Sequence, residues 1–164
     1  MIPKYKIILK EDLTNDDRKI FAELLLKQQK VKGDLFLKAD RCKEICIAYI
    51  DNTAVGIGGI KRKTVTDFDK EKANIKELEK DFDWELGYLY TEENYNGIGI
   101  SNGIVKNLLE RNTNENLMAS TEIFQNPAMV RILEKNEFLR KGKSWKSEIH
   151  KNELGLFLRY KKTL

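Results

Sequence analysis

Short apolar runs of strand type alternate along the chain with segments whose apolar residues recur every three or four positions, and their order predicts the architecture. Tyr5 to Leu9 reads as a strand. After Thr14, the residues Ile20, Phe21, Leu24 and Leu25 define one helical face, with Thr14 or Asn15 as cap, Asp16 and Asp17 in the first turn, and an end near Gln29 to Gly33. Glu44 to Ile50 is apolar on both alternating faces, the mark of a central strand, and Asp51-Asn52 turns it into a second strand from Ala54 to about Val65. Thr66 to Asp83 is charged and offers only Ile75 and Leu78 as a weak helical face, so a mobile excursion, either irregular or helical, is expected there. Trp84 to Thr91 resumes as a strand. A helix follows with Ile100, Ile104, Val105, Leu108 and Leu109 on one face, then a strand from Leu117 to Glu122. Asn126 and Pro127 open another helix, whose buried face is Met129, Ile132 and Leu133. Phe138 to Ser147 and Leu154 to Lys161 form a closing hairpin around Lys151-Asn152.

The most chemically pointed stretch is the junction between the strand ending at Thr91 and the helix beginning near Ile100, where Gly97 and Gly99 sit in a short polar turn. Two glycines let a ligand approach the backbone without Cβ atoms in the way, and the helix entered directly afterwards aims unpaired amides and the positive end of its dipole at that ligand. The junction reads as a cradle for a phosphate. A glycine turn that merely reverses the chain is written with the same letters, so the order of elements has to decide. A dinucleotide-binding unit would place its glycines after an N-terminal strand, and its third fingerprint glycine is missing because position 102 is Asn. A Walker loop lacks its Gly-Lys-Ser/Thr.

Composition narrows the field further. A chain of 164 residues, 41% apolar and 34% charged, suits one globular domain spanning residues 1–164, with no run long enough for a membrane span and no leader peptide at its start, so a cytoplasmic protein is expected. Cys42 and Cys46 are predicted to project from the same face of a strand, too far apart for a disulfide. With His150 the only histidine, neither a metal centre nor a serine–histidine triad finds material. Residues 135–164 carry nine Lys or Arg against three Glu. That bias suits an acidic ligand or a blocked sheet edge, and Trp145 and Tyr160 are candidate stacking platforms for a nucleic acid, although nucleic acid is not the expected partner.

With this order of elements and this cradle, the chain resembles the GCN5-related N-acetyltransferase (GNAT) family, whose Arg/Gln-x-x-Gly-x-Gly/Ala signature lies at a strand-to-helix junction and binds the pyrophosphate of acetyl-CoA. Here the stretch is Asn96-Gly97-Ile98-Gly99-Ile100-Ser101, preceded by Leu89-Tyr90-Thr91. A second block, from Asn126 to Phe138, is similar to the family's Asn-containing helix that ends in Gly-Phe. The resemblance implies a mixed α/β fold: a twisted, mostly antiparallel sheet of about seven strands flanked by about four helices. It also implies acetyl-CoA as cosubstrate without a metal, an amine-bearing acceptor, and a monomer or homodimer. By position Leu89 and Thr91 would hold the pantetheine arm, residues 96 to 101 the diphosphate, and Asn126 and Met129 would contact the cofactor. Glu85 matches the family's glutamate base, and strand periodicity sets it on the face of Gly87, Leu89 and Thr91; Glu122 is the reserve. Four departures stand out: Asn96 for Arg or Gln, Ser101 for Gly or Ala, Glu137 for the Gly before Phe138, and Leu133 where many members carry a Tyr that protonates the departing thiolate. Tyr90 is taken as the replacement acid, with Tyr88, Tyr95 and Ser120 as other hydroxyls in reserve and transfer without an acid as the remaining alternative. The family sets its acceptor by the first helix and its following loop, here about Lys27 to Arg41, by the excursion at 66–83 and by the closing hairpin.

Overall fold

The computed structural model describes residues 2–162. Its strands are β1 (Lys4–Leu9), β2 (Cys42–Ile50), β3 (Thr53–Arg62), β4 (Trp84–Thr91), β5 (Leu117–Glu122), β6 (Leu139–Lys146) and β7 (Glu153–Arg159). The α-helices are α1 (Asn15–Gln28), α2 (Ile100–Glu110) and α3 (Pro127–Lys135), and a 3-10 segment, Leu35–Arg41, adds a helical element before β2. The strands form one seven-stranded sheet in the order β1-β2-β3-β4-β5-β7-β6. β1–β2, β2–β3, β5–β7 and β6–β7 pair antiparallel, and β4–β5 pairs parallel. This is the mixed α/β architecture expected. By its contacts the chain forms two compact units, one comprising the chain up to Arg62 with Leu86–Asn112, the other Lys63–Glu85 with the chain from Thr113 onward. No helix among the described residues is long and apolar enough to cross a membrane.

In the first unit, α1 begins with a reciprocal cap: Asp17 N donates to Thr14 Oγ1 and Thr14 N donates to Asp17 Oδ2, each at 3.1 Å. Phe21, Leu24 and Leu25 then pack on Ile8, Ile45, Ile47, Ile57 and Tyr88. The β2–β3 turn places Asp51 and Asn52 at φ 48° and 68°, the left-handed pair a tight hairpin requires. One expectation fails in β2. A register shift between Cys42 and Glu44 breaks the alternation, so Cys42 joins the cluster under α1, while Cys46 pairs with Gly58, whose face is covered by Ile104 of α2. The two cysteines therefore face opposite ways, both buried as free thiols, and burial pushes the Cys46 thiol up to about 12. Every residue predicted for the buried face of α2 is buried. Gly58 makes that packing possible, since a Cβ there would come within 2.6 Å of Leu89 and 2.7 Å of Ile104.

In the second unit, the charged excursion is not the loose segment expected. It makes 3-10 turns at Val65–Phe68 and Lys76–Asp81, and Phe68, Ala73 and Phe82 are fully buried with Met118, Trp145, Leu156 and Leu158. Two phenylalanines at its ends outweigh the charges between them, because fully burying each contributes about 2–3 kcal/mol. Trp145 belongs to this core and cannot serve as a stacking platform, and Tyr160 leans edge-on against Phe82. The exposed Arg140, Lys141, Lys143 and Lys146 lie on β6, at the end of the sheet order, where lysines discourage edge pairing. α3 ends in a Schellman motif: Phe138 N donates to Leu133 O at 3.0 Å and Glu137 N to Glu134 O at 3.2 Å, with Glu137 left-handed at φ 72°. That is the conformation for which the resembling family uses glycine.

Candidate functional site

The strand-to-helix junction of the first unit has the properties its letters predict. A 3-10 turn at Glu93–Tyr95 delivers the chain to Asn96, and Gly97 and Gly99 follow at φ 82° and 87°, both left-handed. Gly99 is the residue before α2 and supplies no side-chain cap. Among the described residues, no backbone carbonyl accepts a hydrogen bond from the amides of residues 97–101. Residues 96–99 are exposed, and a Cβ built on Gly97 or Gly99 meets no protein atom within 4 Å. Ile100 beside them is buried, so the turn is anchored by an apolar side chain while its amides stay open. Unpaired donors at a helix N-terminus form a site for a dianion, and backbone donors suffice even though Asn96 brings no charge. The fit to a diphosphate therefore rests on residues 97–101, with Ile98 half exposed beside them.

β4 leads into this cradle, and two of its predicted ligand residues are tied to it or to its neighbours. Thr91 Oγ1 and Ser101 Oγ are 2.7 Å apart, joining the end of the strand to the first turn of α2. The Leu89 carbonyl accepts from Gln28 Nε2 at 2.7 Å. Tyr88, just before, has φ 56°, a left-handed conformation rare for an aromatic residue, and its ring is held edge-on by Phe21 at 5.9 Å and under Lys61 Nζ at 5.3 Å. This interrupts the pleat. The two-residue alternation that was to set Glu85 with Leu89 and Thr91 does not run unbroken through Tyr88, and Glu85 falls in the other unit. Tyr88 and Tyr90 pack with the α1 core, and Leu89 faces α2. Burial, then the nearby Glu92 charge, raises the Tyr90 hydroxyl above its ordinary range, so it remains a proton donor at neutral pH. Lys27 and Glu92 pair at 2.6 Å beside it, and the hydrogen bond raises Lys27 further.

The remaining candidates lie in the second unit. Glu85 is buried, and its Oε1 accepts from Thr64 N at 2.9 Å and Thr64 Oγ1 at 2.7 Å. Glu122 is also buried and accepts from Asn152 Nδ2 at 2.6 Å. Asn126 caps α3, its Oδ1 accepting from Met129 N at 3.3 Å, so this pair is brought together by a structural bond. Leu133 is fully buried, and Arg131 and Lys135 lie on the exposed side of α3. Sequence reasoning missed Thr64, Gln28 and the strain at Tyr88. Nothing in the letters marks the last, whereas Gln28 was visible only as a polar residue at a helix end.

No family model matches the chain, and no curated protein matches it in sequence. Its fold, however, is shared with solved acetyltransferases. A chain of the NatC complex, solved bound to Gag peptide and CoA, is similar at a TM-score of 0.73 over 99% of this chain and 100% of its own, with 14% identity. Ard1 from Thermoplasma volcanium gives 0.70 over 99% and 100% at 8% identity. The yncA protein from Salmonella typhimurium, solved with its cofactor acetyl-CoA, gives 0.66 over 100% and 96% at 12% identity. The likeness is one of backbone and extends over whole chains: this protein has the fold of the GNAT acetyltransferases.

Proposed function

We propose that the chain is a single acyl-CoA N-acyltransferase domain, residues 1–164, that moves an acetyl group from acetyl-CoA to a primary amine of a small molecule, peptide or protein by direct attack in a ternary complex. The observation that carries this reading is the open row of amides at residues 97–101 between left-handed glycines and α2. In this reading those amides, with Ile98, Ile100 and Asn96 shaping the turn, hold the cosubstrate's diphosphate, while Leu89 and Thr91 hold its amide arm as an added strand. When bound, acetyl-CoA supplies a thioester: the C–N bond forms, the C–S bond breaks, and the amine loses a proton. An ammonium of pKa about 10.4 is neutral in only a few molecules per ten thousand at pH 7, so a base is needed. Glu85 is the proposed base, oriented by Thr64, and Tyr90 the proposed donor for the thiolate. The fold and soluble composition suit a cytoplasmic monomer or homodimer.

The test is isothermal titration with acetyl-CoA followed by an amine panel with a thiol-release readout. Micromolar binding and release with at least one amine are expected; no heat at millimolar ligand contradicts the reading. A second reading, an acyl-CoA-binding module without chemistry, is favoured by Leu133, which is buried hydrocarbon at the position of the family's acid, and by Asn96 at that of its Arg or Gln. It expects binding with no release from any amine, and no rate loss in Glu85→Gln.

A further inference from the structure

Gln28, the last residue of α1, donates from Nε2 to the Leu89 carbonyl at 2.7 Å, yet its Oε1 is buried and finds no donor among the described residues. Chemistry fixes which end of the carboxamide touches Leu89, because a carbonyl only accepts. The orphan oxygen offsets part of what the bond to Leu89 returns, since a buried acceptor without a donor is itself costly, so the hold is weak enough for a ligand to displace. The side chain is therefore held at Leu89 in an arrangement that satisfies only half of it.

The register shows what it occupies. Glu92 N donates to Val55 O on β3 at 2.8 Å, and successive residues in a strand turn their backbone polar groups to alternate sides. Tyr90 and Glu92 thus face β3, and Leu89 and Thr91 face away from it. The Leu89 carbonyl belongs to the row that a strand-like ligand lying along β4 would use. A side-chain amide has taken the place of a ligand amide there. The Lys27–Glu92 pair at 2.6 Å joins the same two segments and keeps the end of α1 beside β4.

We propose that Gln28 is a latch on the amide-arm site: its carboxamide stands in for a secondary amide of the ligand and must leave Leu89 when the amide-bearing arm of acyl-CoA lies along β4. This inference rests on the function proposed above and deepens it. A contact internal to the chain competes with the ligand at every encounter, so the apparent affinity is reduced by the fraction of molecules that are latched.

Titration calorimetry of the full chain with CoA tests it. Gln28→Met, which keeps the side chain's length but cannot donate, is expected to bind CoA about two- to tenfold more tightly, the worth of one neutral hydrogen bond. Its affinity for the nucleotide diphosphate half of CoA, which lacks the amide arm, is expected to match wild type. In wild-type protein, the Gln28 side-chain amide signals in a nitrogen–proton correlation spectrum are expected to move with CoA and not with the nucleotide half. Equal or weaker CoA binding by Gln28→Met overturns the latch, as do unmoved Gln28 signals at saturation. Failure of wild-type protein and variant alike to bind CoA removes the proposed function and the latch with it.

Discussion

Two helices of this chain are entered from a strand through a short turn, and they treat their first amides in opposite ways. α2 is preceded by left-handed Gly99 with no side-chain cap, and the amides of residues 97–101 meet no backbone carbonyl among the described residues. α3 is preceded by Asn126, whose own oxygen takes Met129 N, with Pro127 removing another donor. The C-terminal end of α3 is closed as well, by the Schellman bonds of Glu137 and Phe138. A helix start at glycine forgoes only about a few tenths of a kcal/mol that Asn or Ser would supply, so leaving it open costs the fold little. In the proposed function the open end of α2 is kept for the cosubstrate, and glycines at 97 and 99 would let it come close to the amides.

The contrast can be broken most severely at Gly99. In Gly99→Trp the indole fills the space in front of the amides, and CoA affinity is expected to fall at least about a hundredfold, about 3 kcal/mol. Stability should drop by only ~1–2 kcal/mol from the left-handed backbone, read by circular dichroism and urea melts. Gly99→Asp makes α2 resemble α3 by giving it a cap of its own, and places a carboxylate against the diphosphate. About a tenfold loss of CoA affinity, easing with salt, is expected by calorimetry, with about 1 kcal/mol of stability lost to the left-handed backbone at position 99. Asn126→Ala acts at the closed helix: unfolding should cost about 1 kcal/mol less in urea, with Asn126→Asp restoring it. Weaker CoA binding at unchanged stability would instead make Asn126 a cofactor ligand. The smallest effect is expected for Glu137→Gly, which relieves a left-handed side chain at φ 72° and should stabilise the protein by about 0.5–1 kcal/mol in the same melts.

The parts legible in the sequence are those governed by local period and local turn chemistry. The buried stripe of α2, the Thr14 cap, the Asp51-Asn52 hairpin and β4 from Trp84 to Thr91 all stand where the letters put them. What stayed hidden depends on one residue breaking a period or on distant partners. The bulge beside Lys43 turned Cys42 away from Cys46, and left-handed Tyr88 broke the alternation that was to carry Glu85 to Thr91. Phe68 and Phe82 fall outside the weak helical face of Ile75 and Leu78, and the partners that bury them, Met118 and Leu156, lie far along the chain. The glycine turn into α2 was readable because a helix start and its preceding residues are contiguous. The hold of Gln28 on Leu89 spans α1 and β4, and no spacing announces it.

A titration of isotope-labelled protein with CoA, followed through backbone amide signals, tests the central claim most directly. The account predicts saturable binding with the largest downfield shifts at the amides of residues 97–101, where a diphosphate would accept their hydrogen bonds. Saturable binding that leaves those amides unmoved, or no binding at millimolar CoA, would contradict it.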